Sequence, residues 1–215
     1  MHTPTHAPLS AAELLRAGPV LPVIVIHDAA LAVDLAAALV AGGIRTLEVT
    51  LRTPAALQAI GRIRDRVPGA LVGAGTVLTP HDWRRAQDAG AQFGISPGLT
   101  PALLEAASKS PLPFVPGVAT ASEAMLALDA GFTALKLFPA EAVAGRALLK
   151  SLHGPLPQLL FCPTGGITPA NAASYLALPN VACVGGSWLV PETALAARDW
   201  DAITALAREA CALRS

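Results

Sequence analysis

Of the chain's three lysines, only Lys136 is set in an apolar run, Phe132-Thr-Ala-Leu-Lys-Leu-Phe-Pro139. Lys109 and Lys150 fall in helical stretches, where exposure is ordinary. The two-residue period of a strand puts Lys136 on one face with Ala134 and Phe138, opposite Leu135 and Leu137. If the leucines face helices, the lysine points into the interior. A buried ammonium is costly unless paired, and desolvation favours the neutral amine that can attack a carbonyl carbon. A structural lysine paired with a carboxylate, or one that holds substrate by charge alone, is the alternative.

A second run, Thr46-Leu-Glu-Val-Thr-Leu-Arg52, separates Leu47, Val49 and Leu51 from Glu48, Thr50 and Arg52 by the same parity. An acid, a hydroxyl and a guanidinium on one inward face build a site better than a core. Glu48 could move protons around a carbonyl carbon, and Arg52 could grip a substrate carboxylate bidentately. A buried ion pair with a purely structural role is the competing reading. Thr76, in Gly73-Ala-Gly-Thr76, offers a hydroxyl beside glycines that let a ligand approach the backbone; it could equally be an ordinary strand residue. Ser96-Pro97-Gly98 closes another run. Two glycine pairs, Gly165-Gly166 and Gly185-Gly186-Ser187, lie where backbone N–H groups commonly cradle a phosphate, the second before a possible short extra helix. Tight turns need glycine too. No nucleotide-binding fingerprint is present. His2, His6, His27, His81 and His153 are scattered without metal-ligand spacing, so no metal is expected.

These residues require elements to hold them. Eight β-type runs alternate with helical stretches: Val20–Ile26, Thr46–Arg52, Leu71–Val77, Phe93–Pro97, Phe114–Val118, Ala134–Phe138, Leu159–Pro163 and Val181–Gly185. Asp28, Thr53-Pro54, Thr79-Pro80, Thr100-Pro101 and Thr168-Pro169 mark helix starts; Gly42-Gly43, Gly90 and Gly131 mark ends. Strict β/α alternation predicts a parallel sheet, and eight units in 215 residues predict a single-domain (β/α)₈ TIM barrel rather than an open sheet. A further helix, Ser10 to Ala17, is expected to cover the barrel's bottom. Residues 1–9 are expected to form a flexible lead-in, with the barrel domain over 10–215.

Composition narrows the partners. Hydrophobic residues make up 53% and charged residues 14%, yet Pro, Gly or charge interrupts every apolar run well short of a spanning helix. The net charge is zero and no basic stretch stands out, which disfavours nucleic acid. The three cysteines, Cys162, Cys183 and Cys211, suit neither a disulfide framework nor a zinc site. Without a recognisable secretory leader, a reduced cytoplasmic protein is expected.

Taken in order, Leu-Glu-Val-Thr-Leu-Arg52, Val-Gly-Ala-Gly-Thr76, Ile-Ser-Pro-Gly98, Pro-Gly117, Lys-Leu-Phe-Pro-Ala-Glu141, Phe-Cys-Pro-Thr-Gly-Gly166 and Gly-Gly-Ser-Trp-Leu-Val190 resemble the bacterial 2-keto-3-deoxy-6-phosphogluconate (KDPG) aldolases. The similarity runs from about Leu14 to the C-terminus. It implies a homotrimeric class I (Schiff-base) aldolase of sugar-acid catabolism without a cofactor, yielding pyruvate and D-glyceraldehyde 3-phosphate from KDPG. Many members also act on 4-hydroxy-2-oxoglutarate (KHG). By the resemblance Lys136 is the Schiff-base lysine and Glu48 the general acid/base. Arg52, Thr76, Pro97 and Phe138 surround the pyruvyl group, and Gly165, Gly166, Gly185, Gly186 and Ser187 hold the phosphate. Some relatives carry an arginine at the end of the first strand, where this chain reads Val-Ile-Val-Ile26, so Arg52 must serve alone. Competing readings are the same chemistry on KHG or the galactonate epimer of KDPG, a phosphosugar isomerase or decarboxylase with an electrostatic Lys136, and an inactive phosphate-binding barrel.

Overall fold

A computed structural model of the chain describes residues 9–214. The expected lead-in therefore lies, but for Leu9, outside the described residues, as do His2 and His6.

Helix α1 (Ala11–Arg16) precedes strand β1 (Val20–Ile24). There follow α2 (Ala32–Ala41), β2 (Thr46–Thr50), α3 (Ala56–Arg66), β3 (Leu71–Gly75), α4 (Pro80–Asp88), β4 (Gly94–Ile95) and α5 (Pro101–Ser108). The second half holds β5 (Phe114–Val115), β6 (Gly117–Val118), α6 (Ala121–Asp129), β7 (Ala134–Leu137), α7 (Gly145–His153), β8 (Leu160–Pro163), α8 (Pro169–Leu176), β9 (Val184–Gly186), α9 (Glu192–Ala197) and α10 (Trp200–Cys211).

Every ladder is parallel, as the alternation predicts. One ladder runs β5-β4-β3-β2-β1-β9 and another β6-β7-β8, giving a curled α/β sheet. The fifth predicted run divides in two because Pro116 has no N–H to donate. Val115 pairs with Ile95 on one side; Gly117 pairs with Lys136 on the other, and the Pro116 carbonyl accepts from Lys136 N–H at 2.9 Å. The last strand starts at Val184, later than predicted. Before it the chain follows β8 instead, with Ala182 N–H donating to the Phe161 carbonyl at 2.9 Å, so Cys183 is buried but outside the strand.

Helix starts follow the predicted chemistry with one exception. Thr79 and Thr100 accept from the N–H groups of Asp82 and Leu103, and each is followed by Pro at the first helical position. Asp28 caps a short 3-10 turn, Ala29–Leu31. Thr53 does not cap α3, which begins at Ala56; its hydroxyl donates to the Ile26 carbonyl and ties the ends of β1 and β2 together.

Side-chain parity divides the core. Leu47, Val49, Leu135 and Leu137 join helix residues such as Leu35, Leu39, Ile60 and Ile63 in one large cluster. On the concave face Leu21, Phe93, Ile95, Val115, Ala134 and Cys162 form a smaller cluster, against which Leu14 and Leu15 of α1 pack. Each fully buried side chain of this size contributes roughly 1.5–3 kcal/mol. The inward direction of Lys136, expected from its leucine neighbours, follows from this division.

Candidate functional site

Lys136 and Glu48 come from strands far apart in the ladders and meet on the concave face. Lys136 Nζ donates to Glu48 Oε1 at 3.1 Å; the residues are 5% and 1% exposed. Glu48 Oε2 is buried and has no hydrogen-bond partner among the described residues. A buried carboxylate with one oxygen on an amine and one uncommitted can exchange protons with that amine and with a third group. Gly75 makes this placement possible: a Cβ there would lie 2.2 Å from Glu48 Oε1.

The other predicted residues around the pyruvyl group lie just past the ends of β2, β3, β4 and β7. Lys136 Nζ is 5.6 Å from the centroid of the Phe138 ring, within cation–π range. Pro97 leans over Gly117, the register partner of Lys136; a Cβ on Gly117 would come within 2.3 Å of the Pro97 carbonyl carbon. Arg52 Nε donates to Thr76 Oγ1 at 3.3 Å. Thr76 has φ 57°, a left-handed conformation costing a β-branched residue of order 1–3 kcal/mol, which holds its hydroxyl at the strand end.

The two glycine loops are neighbours. Thr164 bridges to Gly185 in parallel fashion, and a Cβ on Gly185 would meet Thr164 Oγ1 at 2.1 Å. Gly165 and Gly166 have φ 99° and 78°, open to glycine alone at low cost. Among the described residues, the N–H groups of Gly166 and Ile167, just before α8, donate to no protein acceptor. Such a cluster attracts an anion. Past Gly186 a turn, with the Trp188 ring against Gly186, leads into the short extra helix that the sequence suggested, α9, which starts at Glu192.

A cavity of about 590 Å³ is lined by Val23, His27, Arg52, Ser187 and Glu192 among others, so Arg52 and Ser187 share one space. Lys136 and Glu48 are not in its lining. A larger cleft of about 730 Å³, between α7 and α8, includes Glu141, Arg146 and Tyr175 and lies away from the ion pair. Among the described residues no group of three or more His, Cys, Asp or Glu is placed to hold a metal ion, and no helix is long and apolar enough to cross a membrane.

Sequence reasoning missed two features. Ser96, 1% exposed, accepts from Gly117 N–H at 3.3 Å and pins the segment that Pro116 interrupts. Tyr175, the chain's one tyrosine, is fully buried and donates to Glu141 Oε1. Its uniqueness, in a helix opened by a glycine loop, was the available signal.

An aldolase family model, KDPG and KHG aldolase, matches residues 11–206. The chain belongs to that family. It is 56% identical over 201 residues to the KHG/KDPG aldolase of Escherichia coli K12, covering 94% of each chain. It superimposes with a TM-score of 0.93 on a Legionella pneumophila KDPG aldolase holding pyruvate as a covalent carbinolamine; identity is 49%, and 94% of this chain and 98% of that one are covered. A Zymomonas mobilis ZM4 2-keto-3-deoxy-6-phosphogluconate aldolase with 3-phosphoglycerate matches at TM-score 0.90 and 50% identity, covering 94% of this chain and 95% of that one. The sequence motifs therefore led to the right family.

Proposed function

We propose that this chain is a class I aldolase that reversibly cleaves 2-keto-3-deoxy-6-phosphogluconate to pyruvate and D-glyceraldehyde 3-phosphate. One observation carries the reading: a buried lysine hydrogen-bonded at 3.1 Å to a buried carboxylate on the concave face. Glu48 accepts a proton from Lys136, and the neutral amine attacks the C2 carbonyl. Glu48 gives that proton to the departing C2 hydroxyl, and loss of water leaves a protonated imine, an electron sink that lets the C3–C4 bond break as the C4 hydroxyl loses its proton to the regenerated Glu48 carboxylate, directly or through water. The enamine left behind is protonated and hydrolysed to pyruvate. Arg52 and Thr76 hold the pyruvyl carboxylate, Pro97 and Phe138 flank the reacting carbons, and Gly165, Gly166, Gly185, Gly186 and Ser187 take the phosphate. The free N–H groups of Gly166 and Ile167 support the last assignment, as does the 3-phosphoglycerate of the Zymomonas relative.

The scaffold is a closed (β/α)₈ barrel over residues 10–215, with α1 covering its bottom. Closure is supported by continuity of the chain through Pro116 and by the bridges Phe161 to Val181 and Thr164 to Gly185. The protein is a homotrimer in the cytoplasm, with residues 1–9 a flexible lead-in. Met125 and Leu126, 59% and 57% exposed on α6, are apolar surface that a subunit would cover, and free Cys162 and Cys211 suit a reducing compartment.

Borohydride reduction in the presence of pyruvate tests the mechanism. Peptide mass analysis should find the adduct on Lys136; an unmodified Lys136, or an adduct on Lys109 or Lys150, overturns it. A second reading, the same chemistry on 4-hydroxy-2-oxoglutarate, is favoured by the E. coli relative's name. Turnover of KDPG, its galactonate epimer and the unphosphorylated acid under one set of conditions ranks the three substrates.

A further inference from the structure

The turn after β7 lies against the Gly165-Gly166 loop. Ala140 N–H donates to the Thr164 carbonyl at 2.8 Å, and Glu141 N–H to the Gly165 carbonyl at 3.1 Å. The side-chain stem of Glu141 is pressed on Gly166: a Cβ on that glycine would lie 2.7 Å from both Glu141 Cβ and Cγ. The position of this stem is set from α8, where the buried Tyr175 hydroxyl donates to Glu141 Oε1. The same helix grips the loop from its other side, Asn171 Nδ2 donating to the Gly166 carbonyl at 3.0 Å. The two glycine carbonyls are thus tied back, while the N–H groups of Gly166 and Ile167 donate to no acceptor among the described residues.

We propose that Tyr175 and Glu141 form a positioning latch that holds the glycine turn in its anion-binding shape and so sets the preference for phosphorylated over unphosphorylated keto acids. The proposal rests on the functional reading above. Neither residue touches the reacting carbons. Glu141 is exposed, and released from Tyr175 its carboxylate would be free to approach the anion site and repel phosphate. Burial of the phenol, reinforced by Glu141, holds its pKa above the ordinary value, consistent with a hydroxyl that stays a donor.

The test compares Tyr175→Phe, Glu141→Ala and Glu141→Gln with the unmodified protein, on KDPG and on 4-hydroxy-2-oxoglutarate. Phe keeps the ring's packing, and Glu141→Ala breaks the latch from an exposed position should the core variant fold poorly. Both should raise KM for KDPG about tenfold, the scale of one charge-assisted hydrogen bond, with kcat changed little. Both constants for the unphosphorylated substrate should stay unchanged. Glu141→Gln keeps an acceptor for Tyr175 and should retain the KM of the unmodified protein for KDPG. Equal effects on the two substrates, no effect on either, or a Glu141→Gln protein that behaves like Glu141→Ala overturns the latch. Failure of the underlying reading looks different: the unmodified protein would not be trapped at Lys136, or would show no preference for the phosphorylated acid.

Discussion

Replacing Lys136 with Met should destabilise the fold severely, and replacing Glu48 with Gln at the same time should restore most of the loss. At 3.1 Å and an effective dielectric of about 20, the two charges attract by about 5 kcal/mol. Removing both from water costs several kcal/mol per ion, so the intact pair contributes little net stability. Taking one partner away leaves a buried charge without compensation, and such breaks cost about 3–5 kcal/mol. Glu48 is the more exposed to this penalty, because its Oε2 has no partner to begin with. Glu48→Gln alone should cost somewhat less than Lys136→Met, since an amide oxygen still accepts from the ammonium. Against a total stability of about 5–15 kcal/mol for a domain, the single changes consume a large share. Urea unfolding of the four proteins at neutral pH without keto acid measures the cycle, with an expected coupling of about 3 kcal/mol or more. Stability is the readout because all three variants should lack retro-aldol activity. Single-site losses that simply add in the double variant would refute the buried contact.

Two further outcomes follow from the geometry. Gly75→Ala places a methyl where Glu48 Oε1 now lies, 2.2 Å from that oxygen, so the carboxylate must swing aside and kcat should fall about 100-fold; steady-state rates on a folded variant check this, and an unchanged kcat would remove Glu48 from the proton-transfer role. Tyr175 has a raised pKa through burial and its bond to Glu141, so its stabilising contribution is full below about pH 10 and is lost as pH rises towards the folded-state value; urea midpoints of the unmodified protein and Tyr175→Phe should converge above about pH 10, whereas a constant gap would contradict the shift.

The parity of single strands made much of the site legible. Leu135 and Leu137 flank Lys136, and Leu47 and Val49 flank Glu48, so alternation alone put both charges on the inward face. What alternation does not contain is distance between strands. That Lys136 and Glu48 touch depends on the curl of the sheet, which brings β7 and β2 within reach across the concave face although no ladder pairs them. Strand ends were less legible for a related reason. Pro116 divides one predicted run because it has no N–H to donate, and Thr53 abandons its cap because a partner distant in sequence, Ile26, outweighs local preference. The Tyr175–Glu141 contact was hidden by distance in sequence: Tyr175 is the chain's one tyrosine and Glu141 ends a motif, but only the packing of α8 against the turn after β7 joins them.

The inward faces of these strands change character within a single step of two residues, about 6.6–6.8 Å along a strand. Ala134 belongs to the apolar cluster beneath, Lys136 to the ion pair, and Phe138 to the wall beside it. Val115 is followed by Gly117, which makes room for Pro97, and Cys162 by Thr164, which reaches Gly185. The half against which Leu14 and Leu15 pack supplies apolar burial with no polar cost. The other half carries a buried ion pair, an unpartnered carboxylate oxygen, and a threonine at φ 57°. Parallel strands impose this segregation, since all their C-terminal ends emerge on one side. Lys136, Glu48 and Thr76 can therefore be strained or desolvated there while the opposite end, two residues away on the same strands, offsets the cost.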